Sequence, residues 1–151
     1  MKFSSLRVPD SVPRLAESSV TAAIVPPLMT FFTVPAGYDL AKSGTATIAP
    51  AGLDLYTSSA IPGWATSLIV TGMRTGALYR VKLGRNGRQI DGEPFEYFKA
   101  STRYRDLAIS PDGRRIYAGT DDHGPTMGDR GQTAGVLTNP GAILEFTYRA
   151  Q

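Results

Sequence analysis

From about residue 45 onward, short runs that mix apolar and polar residues alternate with Gly, Pro, Asp and Asn, which is typical of a β-meander. The first series predicts four strands, at 47–56, 67–72, 76–83 and 93–98. The second series predicts three strands, at 106–110, 115–120 and 141–148, with a turn at Pro111-Asp112-Gly113 between the first two. The pattern therefore predicts two consecutive β-units, and the second lacks an obvious fourth strand.

The two series resemble degenerate repeats of one unit. Gly76-Ala77-Leu78-Tyr79 and Gly141-Ala142-Ile143-Leu144 occupy the same third-strand place in their series. We interpret the two series as β-propeller blades. Propellers typically close with about four to eight blades, so this interpretation implies partner sequence elsewhere. In many propellers a strand from the beginning of the chain completes the last blade, which would explain why the second series stops after three strands.

Composition supports an all-β architecture and narrows the ligand class. The 151 residues include 16 Gly and 11 Pro, which favours many short elements joined by turns. The net charge of +3 is dispersed, which suits small anionic ligands at least as well as nucleic acid, and no nucleic-acid-binding motif is visible. With no cysteine, disulfides and thiolate metal sites are excluded.

The N-terminal region does not predict a targeting or membrane segment. The first ten residues contain no long apolar run, so we predict no secretory signal peptide there: either the chain is cytoplasmic or its leader is missing. Residues 19–38 are uncharged, but Pro26, Pro27 and Pro35 interrupt them. We therefore predict no membrane span. The pattern in residues 1–44 is otherwise uninformative.

Two arginines at the start of a predicted strand are the strongest candidates for ligand binding. Arg103 and Arg105 lie two residues apart in Arg103-Tyr104-Arg105-Asp106. Because alternate residues of an extended chain point to the same side, their guanidinium groups are expected to converge. Paired planar cations suit a ligand that carries several carboxylates or phosphates. The alternative is that both arginines pair with a local acid such as Asp106.

Other candidates carry weaker signals. Arg74 follows the second predicted strand, where Gly72 and Gly76 leave room for a ligand, but a solvated hairpin arginine is the alternative. Trp64 is interpreted as a packing aromatic residue in preference to a sugar-stacking platform.

The long connection at 121–140 holds the remaining candidates. His123 is the only histidine, which favours a mobile surface residue over a catalytic or metal-binding one. The carboxylates could ligate calcium, but their spacing does not match an EF-hand loop, so a solvated acidic loop is favoured. These carboxylates are Asp121, Asp122 and Asp129.

Several segments occur in a distinctive order along the chain: Ala60-Ile61-Pro62-Gly63-Trp64, RYRD at 103–106, Ser110-Pro111-Asp112-Gly113, Asn139-Pro140-Gly141-Ala142-Ile143 and Phe146-Thr147-Tyr148. Together they resemble the end of the soluble glucose and sorbosone dehydrogenases that depend on pyrroloquinoline quinone (PQQ). The resemblance implies that residues 45–151 form about two C-terminal blades of a six-bladed propeller. Residues 1–44 would then be an irregular segment that belongs to a preceding blade or loop.

The resemblance also implies where a cofactor would bind. In this family PQQ lies across the channel mouth and is bound through calcium and through cationic side chains. Arg103 and Arg105 match the family's arginine pair at the cofactor, and Arg74 falls where a cofactor-contacting lysine is typical. Thr47 and Ala49 match positions that line the cofactor.

The activity implied is oxidation of glucose-like aldoses to lactones, in the periplasm or outside the cell. In the family, the histidine that acts as general base and the main calcium ligands belong to earlier blades, so no catalytic or metal-binding residue is assigned to this chain. We therefore expect it to be inactive alone and to meet a sugar and an electron acceptor only with upstream blades. The alternatives are a non-catalytic binding or interaction module, capable of homo-oligomerisation, and a chain with no stable fold.

Overall fold

The computed structural model describes residues 27–31, 47–127 and 133–150. These ranges contain nine β-strands and no helix. The strands are β1 (Pro50–Tyr56), β2 (Ser67–Gly72), β3 (Ala77–Lys82), β4 (Phe95–Tyr97), β5 (Tyr104–Ile109), β6 (Arg115–Thr120), β7 (Thr126–Met127), β8 (Thr133–Ala134) and β9 (Ile143–Thr147). The predicted all-β class is confirmed for these residues.

The strands form two main antiparallel sheets and one short hairpin. The first sheet has the order β1-β2-β3-β4, and the second has the order β5-β6-β9. They have the form of one four-stranded propeller blade followed by three strands of another, as predicted. The β7-β8 hairpin lies within the connection at 121–140, for which the sequence predicts a loop. Strands of two residues are too short to show a periodic pattern, so the sequence does not predict them.

The two central strands of the first sheet, β2 and β3, are buried on both faces. Ile69 and Leu78 belong to the apolar cluster shared with the second sheet. Their strand neighbours Val70 and Tyr79 point to the opposite face, because successive side chains alternate. There they pack against a second cluster that includes Phe31. These two strands therefore lie between the second sheet on one side and Met29 and Phe31 on part of the other.

Aromatic residues fill the space between the two sheets. Tyr56 and Tyr104 are almost completely buried there. The Trp64 ring packs against Tyr56 and Tyr97, with ring centroids 5.7 and 4.8 Å apart. The interpretation of Trp64 as a packing residue agrees with these contacts.

The predicted division at residue 44 remains a prediction. Of the first 44 residues, the structure describes 27–31, and the uncharged stretch at 19–38 lies mostly outside the described ranges. In the parts of the chain that the structure describes, no helix is long and apolar enough to cross a membrane.

Candidate functional site

The candidate site begins where the chain enters β5. Tyr104 points into the core and is 2% exposed, so the flanking residues Arg103 and Arg105 point to the other side. Both guanidinium groups converge on Asp121, which follows β6. Arg103 Nε donates to Asp121 Oδ2 at 3.1 Å. Arg105 Nη2 donates to the same oxygen at 3.0 Å, and Arg105 Nε donates to Oδ1.

Both arginines pair with a nearby acid, as the alternative interpretation held, but that acid is Asp121 and not Asp106. Asp106 instead accepts a hydrogen bond from the backbone amide of Leu107 at 2.8 Å. The convergence of the guanidinium groups follows the local alternation of the strand. Their partner is set by the pairing of β5 with β6, which the sequence motif does not contain.

The two arginines and Asp121 form one electrostatic cluster. The Arg105 guanidinium, assisted by Arg103, holds the pKa of the Asp121 carboxyl below its ordinary value, and Asp121 in turn raises the pKa of Arg105. The nearby Asp122 also raises the pKa of Arg105, so the two permanent cations share this place with two carboxylates. The Asp121 side chain is 13% exposed, whereas that of Arg105 is 60% exposed. Arg105 is therefore the arginine of the pair that reaches solvent, since the Arg103 side chain is 14% exposed.

Contacts on several sides hold the Arg103 guanidinium in place. Its Nη1 donates to the carbonyl oxygen of Pro125, and its Nη2 lies 3.8 Å from the sulfur of Met73. Gly124 has a φ of +110°, and a Cβ on it would lie 2.9 Å from Arg103 Nε. A glycine at this position therefore leaves the space that the guanidinium occupies.

The residues predicted on the first sheet lie beside the turn between β2 and β3. The amide of Arg74 donates to Ile48 O at 3.0 Å, and the amide of Met73 donates to Ala49 O at 3.1 Å. Thr47 Oγ1 accepts from the Ala49 amide at 2.9 Å, and Ala49 has a left-handed φ of 50°. Residues 47–49 are therefore fixed along this turn.

Backbone contacts from the second half of the chain reach the same turn. The amide of Met127, in β7, donates to Arg74 O at 2.6 Å. Thr126 Oγ1 bonds to Arg74 O at 3.3 Å and to Thr102 O at 3.0 Å. The turn, the entry to β5 and the β7 strand thus meet at one rim. We call this rim, which holds Arg103, Arg105 and Asp121 and the backbone of Arg74, the cationic rim.

The acidic loop differs from its prediction at one residue. Asp121 does not lie in a solvated acidic loop: its side chain is only 13% exposed and pairs with both arginines. Its amide donates to Arg103 O at 3.0 Å, because the residue after β6 lies beside the residue before β5 in an antiparallel pair. That pairing is the signal that could have identified it.

The other candidates of this loop remain outside the cationic rim. His123 and Asp122 have side chains that are 89% and 75% exposed, and they contact each other. Asp129 lies outside the described residues. Among the residues that are described, no group of three or more His, Cys, Asp or Glu side chains is placed to hold a metal ion.

Comparison with known proteins identifies the family. The model of the Glucose / Sorbosone dehydrogenase family matches residues 37–128, which is more than half of the chain. The chain therefore belongs to the glucose/sorbosone dehydrogenase family, and the resemblance drawn from its motifs is confirmed.

Within that family, 98% of the chain is similar to quinoprotein glucose dehydrogenase B of Acinetobacter calcoaceticus, at 33% identity. The chain spans 33% of the length of that relative. A solved glucose dehydrogenase matches 51% of this chain and 23% of its own, with a TM-score of 0.44 and 24% identity.

Proposed function

We propose that this chain supplies one wall of the cofactor site of a PQQ-dependent sugar dehydrogenase. The observation that carries the proposal is the convergence of Arg103 and Arg105 on a single carboxylate. PQQ is a quinone with several carboxylate groups, and it supplies a hydride acceptor when bound. Planar guanidinium groups suit such carboxylates, because they bind them through two parallel hydrogen bonds.

The hydrogen-bond donors of the cationic rim fit this cofactor. Arg105 uses Nε and Nη2 for Asp121, and a guanidinium has five N–H donors, so donors remain on its solvent-facing side. Arg103 directs Nη2 to a thioether sulfur, which is a weak acceptor that a carboxylate can replace. Asp121 orients both groups before a ligand arrives, which reduces the entropy lost on binding.

The first sheet completes this wall in the proposal. Arg74 adds a third cation on the turn that β7 contacts through its backbone. Thr47 and Ala49 line the cofactor from the adjoining segment, whose backbone bonds fix it to the same turn. An arginine in place of a typical lysine keeps the charge but changes the geometry of the contact.

The remaining parts of the reaction are assigned to sequence outside this chain. We propose that the complete enzyme oxidises glucose-like aldoses to lactones, with the general base and calcium ligands on upstream blades. This chain would then be inactive alone, and would act in the periplasm or outside the cell. The length of the A. calcoaceticus relative supports this division, since the chain matches only a third of it.

Calorimetric titration with PQQ and calcium tests the proposal. The purified chain is titrated alone and after mixing with the upstream blades of a related dehydrogenase, and glucose-dependent dye reduction is then measured. PQQ binding and turnover in the mixture alone are expected. A folded chain that neither binds PQQ nor restores dye reduction would contradict the proposal.

A matched pair of variants distinguishes PQQ binding at the cationic rim from attraction of PQQ by net charge. Arg105→Gln removes the exposed cation of the rim and is expected to weaken PQQ binding in the mixture. Arg88→Gln removes an exposed arginine from the turn between β3 and β4 and is expected to leave binding unchanged. Equal losses in both variants would show that PQQ responds only to net charge.

A further inference from the structure

A buried hydroxyl connects two of the segments that meet at the cationic rim. Thr126, in β7, is 0% exposed. Its Oγ1 lies 3.0 Å from the carbonyl oxygen of Thr102 and 3.3 Å from that of Arg74. Thr102 directly precedes Arg103, and Arg74 lies in the turn between β2 and β3. One side chain therefore contacts both the entry to β5 and the turn of the first sheet.

The residues on either side of Thr126 contact the same two segments. Arg103 Nη1 donates to the carbonyl oxygen of Pro125. The amide of Met127 donates to the carbonyl oxygen of Arg74 at 2.6 Å. Both contacts use backbone atoms of the β7 segment, so they do not require a particular side chain there. The hydroxyl of Thr126, in contrast, can be removed without changing the backbone.

The space around this hydroxyl is closely packed. A Cβ on Gly76 would lie 3.2 Å from Thr126 Oγ1 and 2.8 Å from the carbonyl oxygen of Thr102. A hydroxyl has one hydrogen, so it shares that hydrogen between the two carbonyl oxygens. Because Thr126 is fully buried, solvent does not reach the carbonyl oxygens from its side. Loss of the hydroxyl would therefore remove a bond that fixes the two segments against each other.

We infer that Thr126 is a positioning residue for the cofactor site, an inference that rests on the proposed function. Its hydroxyl holds the turn that bears Arg74 against the strand entry that bears Arg103. Cations that bind carboxylates of one rigid ligand must be held at a matching separation, because variation in that separation costs affinity. Thr126 would not touch the cofactor, since its side chain is enclosed by protein.

Calorimetric titration of the reconstituted mixture with PQQ and calcium tests the inference. Thr126→Val keeps the shape of the side chain and removes the hydroxyl, whereas Thr126→Ser keeps the hydroxyl. Thr126→Val should weaken PQQ binding about fivefold or more, and Thr126→Ser should bind within about twofold of the original chain. If Thr126→Val does not fold, Thr126→Ala and Thr126→Ser give the same comparison. Equal affinity with and without the hydroxyl would overturn the inference.

Ser110→Ala is the matched control for a general loss of stability. Ser110 is 8% exposed, and its Oγ donates to Asp112 Oδ1 at 2.5 Å and accepts from the Arg115 amide at 2.9 Å. It follows β5 at the end opposite the cationic rim. Ser110→Ala should therefore lower the urea midpoint and leave PQQ affinity unchanged. If it weakens PQQ binding as much as Thr126→Val does, Thr126 has only a structural role and the inference is overturned.

A measurement on the chain without ligand separates this inference from the proposed function. The Nε–H of Arg103, which donates to Asp121, gives a side-chain NMR signal whose exchange with water can be followed. Exchange should be faster in Thr126→Val than in the original chain, and unchanged in Thr126→Ser and Ser110→Ala. If these rates differ as expected but the original chain binds no PQQ in the mixture, the proposed function fails and positioning of Arg103 by Thr126 stands. Unchanged exchange in Thr126→Val would overturn the inference even if PQQ binds.

Discussion

The hydroxyl of Tyr56, in the first sheet, donates a 2.6 Å hydrogen bond to the carbonyl oxygen of Gly113, in the turn between β5 and β6. The same hydroxyl accepts a hydrogen bond from the Ile61 amide at 3.1 Å. Tyr56 is fully buried, so water cannot replace either bond if the hydroxyl is removed. A polar contact inside the apolar core thus connects the two sheets.

Replacement of this hydroxyl should lower the free energy of unfolding. Tyr56→Phe leaves two buried backbone groups without their partner, and we expect a loss of about 1–3 kcal/mol. Urea denaturation followed by Trp64 fluorescence measures it. Tyr117→Phe is the control, because its hydroxyl contacts the exposed Arg115 only at 3.5 Å. Equal stability of the two variants would show that the buried contact contributes nothing.

A pair of glycine substitutions should separate backbone strain from steric overlap. Gly76 and Gly87 have nearly the same φ, +65° and +66°. A Cβ on Gly76 would lie 2.1 Å from Ala100 O, whereas a Cβ on Gly87 would meet nothing within 4 Å. Gly87→Ala should cost about 1–2 kcal/mol for the left-handed conformation, and Gly76→Ala should cost clearly more. Similar urea midpoints would contradict the predicted overlap.

The cationic rim should make stability depend on pH in the acid range. The folded pKa of Asp121 lies below its unfolded value, chiefly because of Arg105, so its contribution is complete above the unfolded pKa of about 3.9. It is lost as the pH falls below that value and through the folded pKa. Urea midpoints of the original chain should therefore fall more steeply below about pH 4 than those of Asp121→Asn. Parallel curves would exclude this contribution.

The two arginines of the rim should differ when each is replaced. Arg105→Gln should weaken PQQ binding in the reconstituted mixture about tenfold or more and should lower stability less than Arg103→Gln does, because the Arg105 side chain is largely exposed. Arg103→Gln should reduce both, because Arg103 also bonds to Pro125 O and contacts Met73. Calorimetry and urea denaturation measure the two effects. Identical profiles for the two variants would refute the distinction.

Strand bounds and side-chain alternation could be predicted from the sequence, because both depend on local pattern. The bounds of β2 and β6 agree with the predicted strands at 67–72 and 115–120, because turn residues delimit both runs. The convergence of Arg103 and Arg105 follows from alternation within one strand. The role of Asp121 does not follow from alternation within one strand, because it needs the register between β5 and β6, which pairs Tyr104 with Thr120.

The backbone hydrogen bond from Met127 to Arg74 should make ligand affinity depend on how the two sheets are aligned. It connects the turn of the first sheet to a strand that follows the second sheet's β6, so the cationic rim has its correct shape only while the sheets are aligned. A substitution in the distant core that shifts one sheet against the other should therefore reduce anion affinity before it reduces strand content. The anion affinity of the cationic rim should therefore report whether the two sheets are correctly aligned.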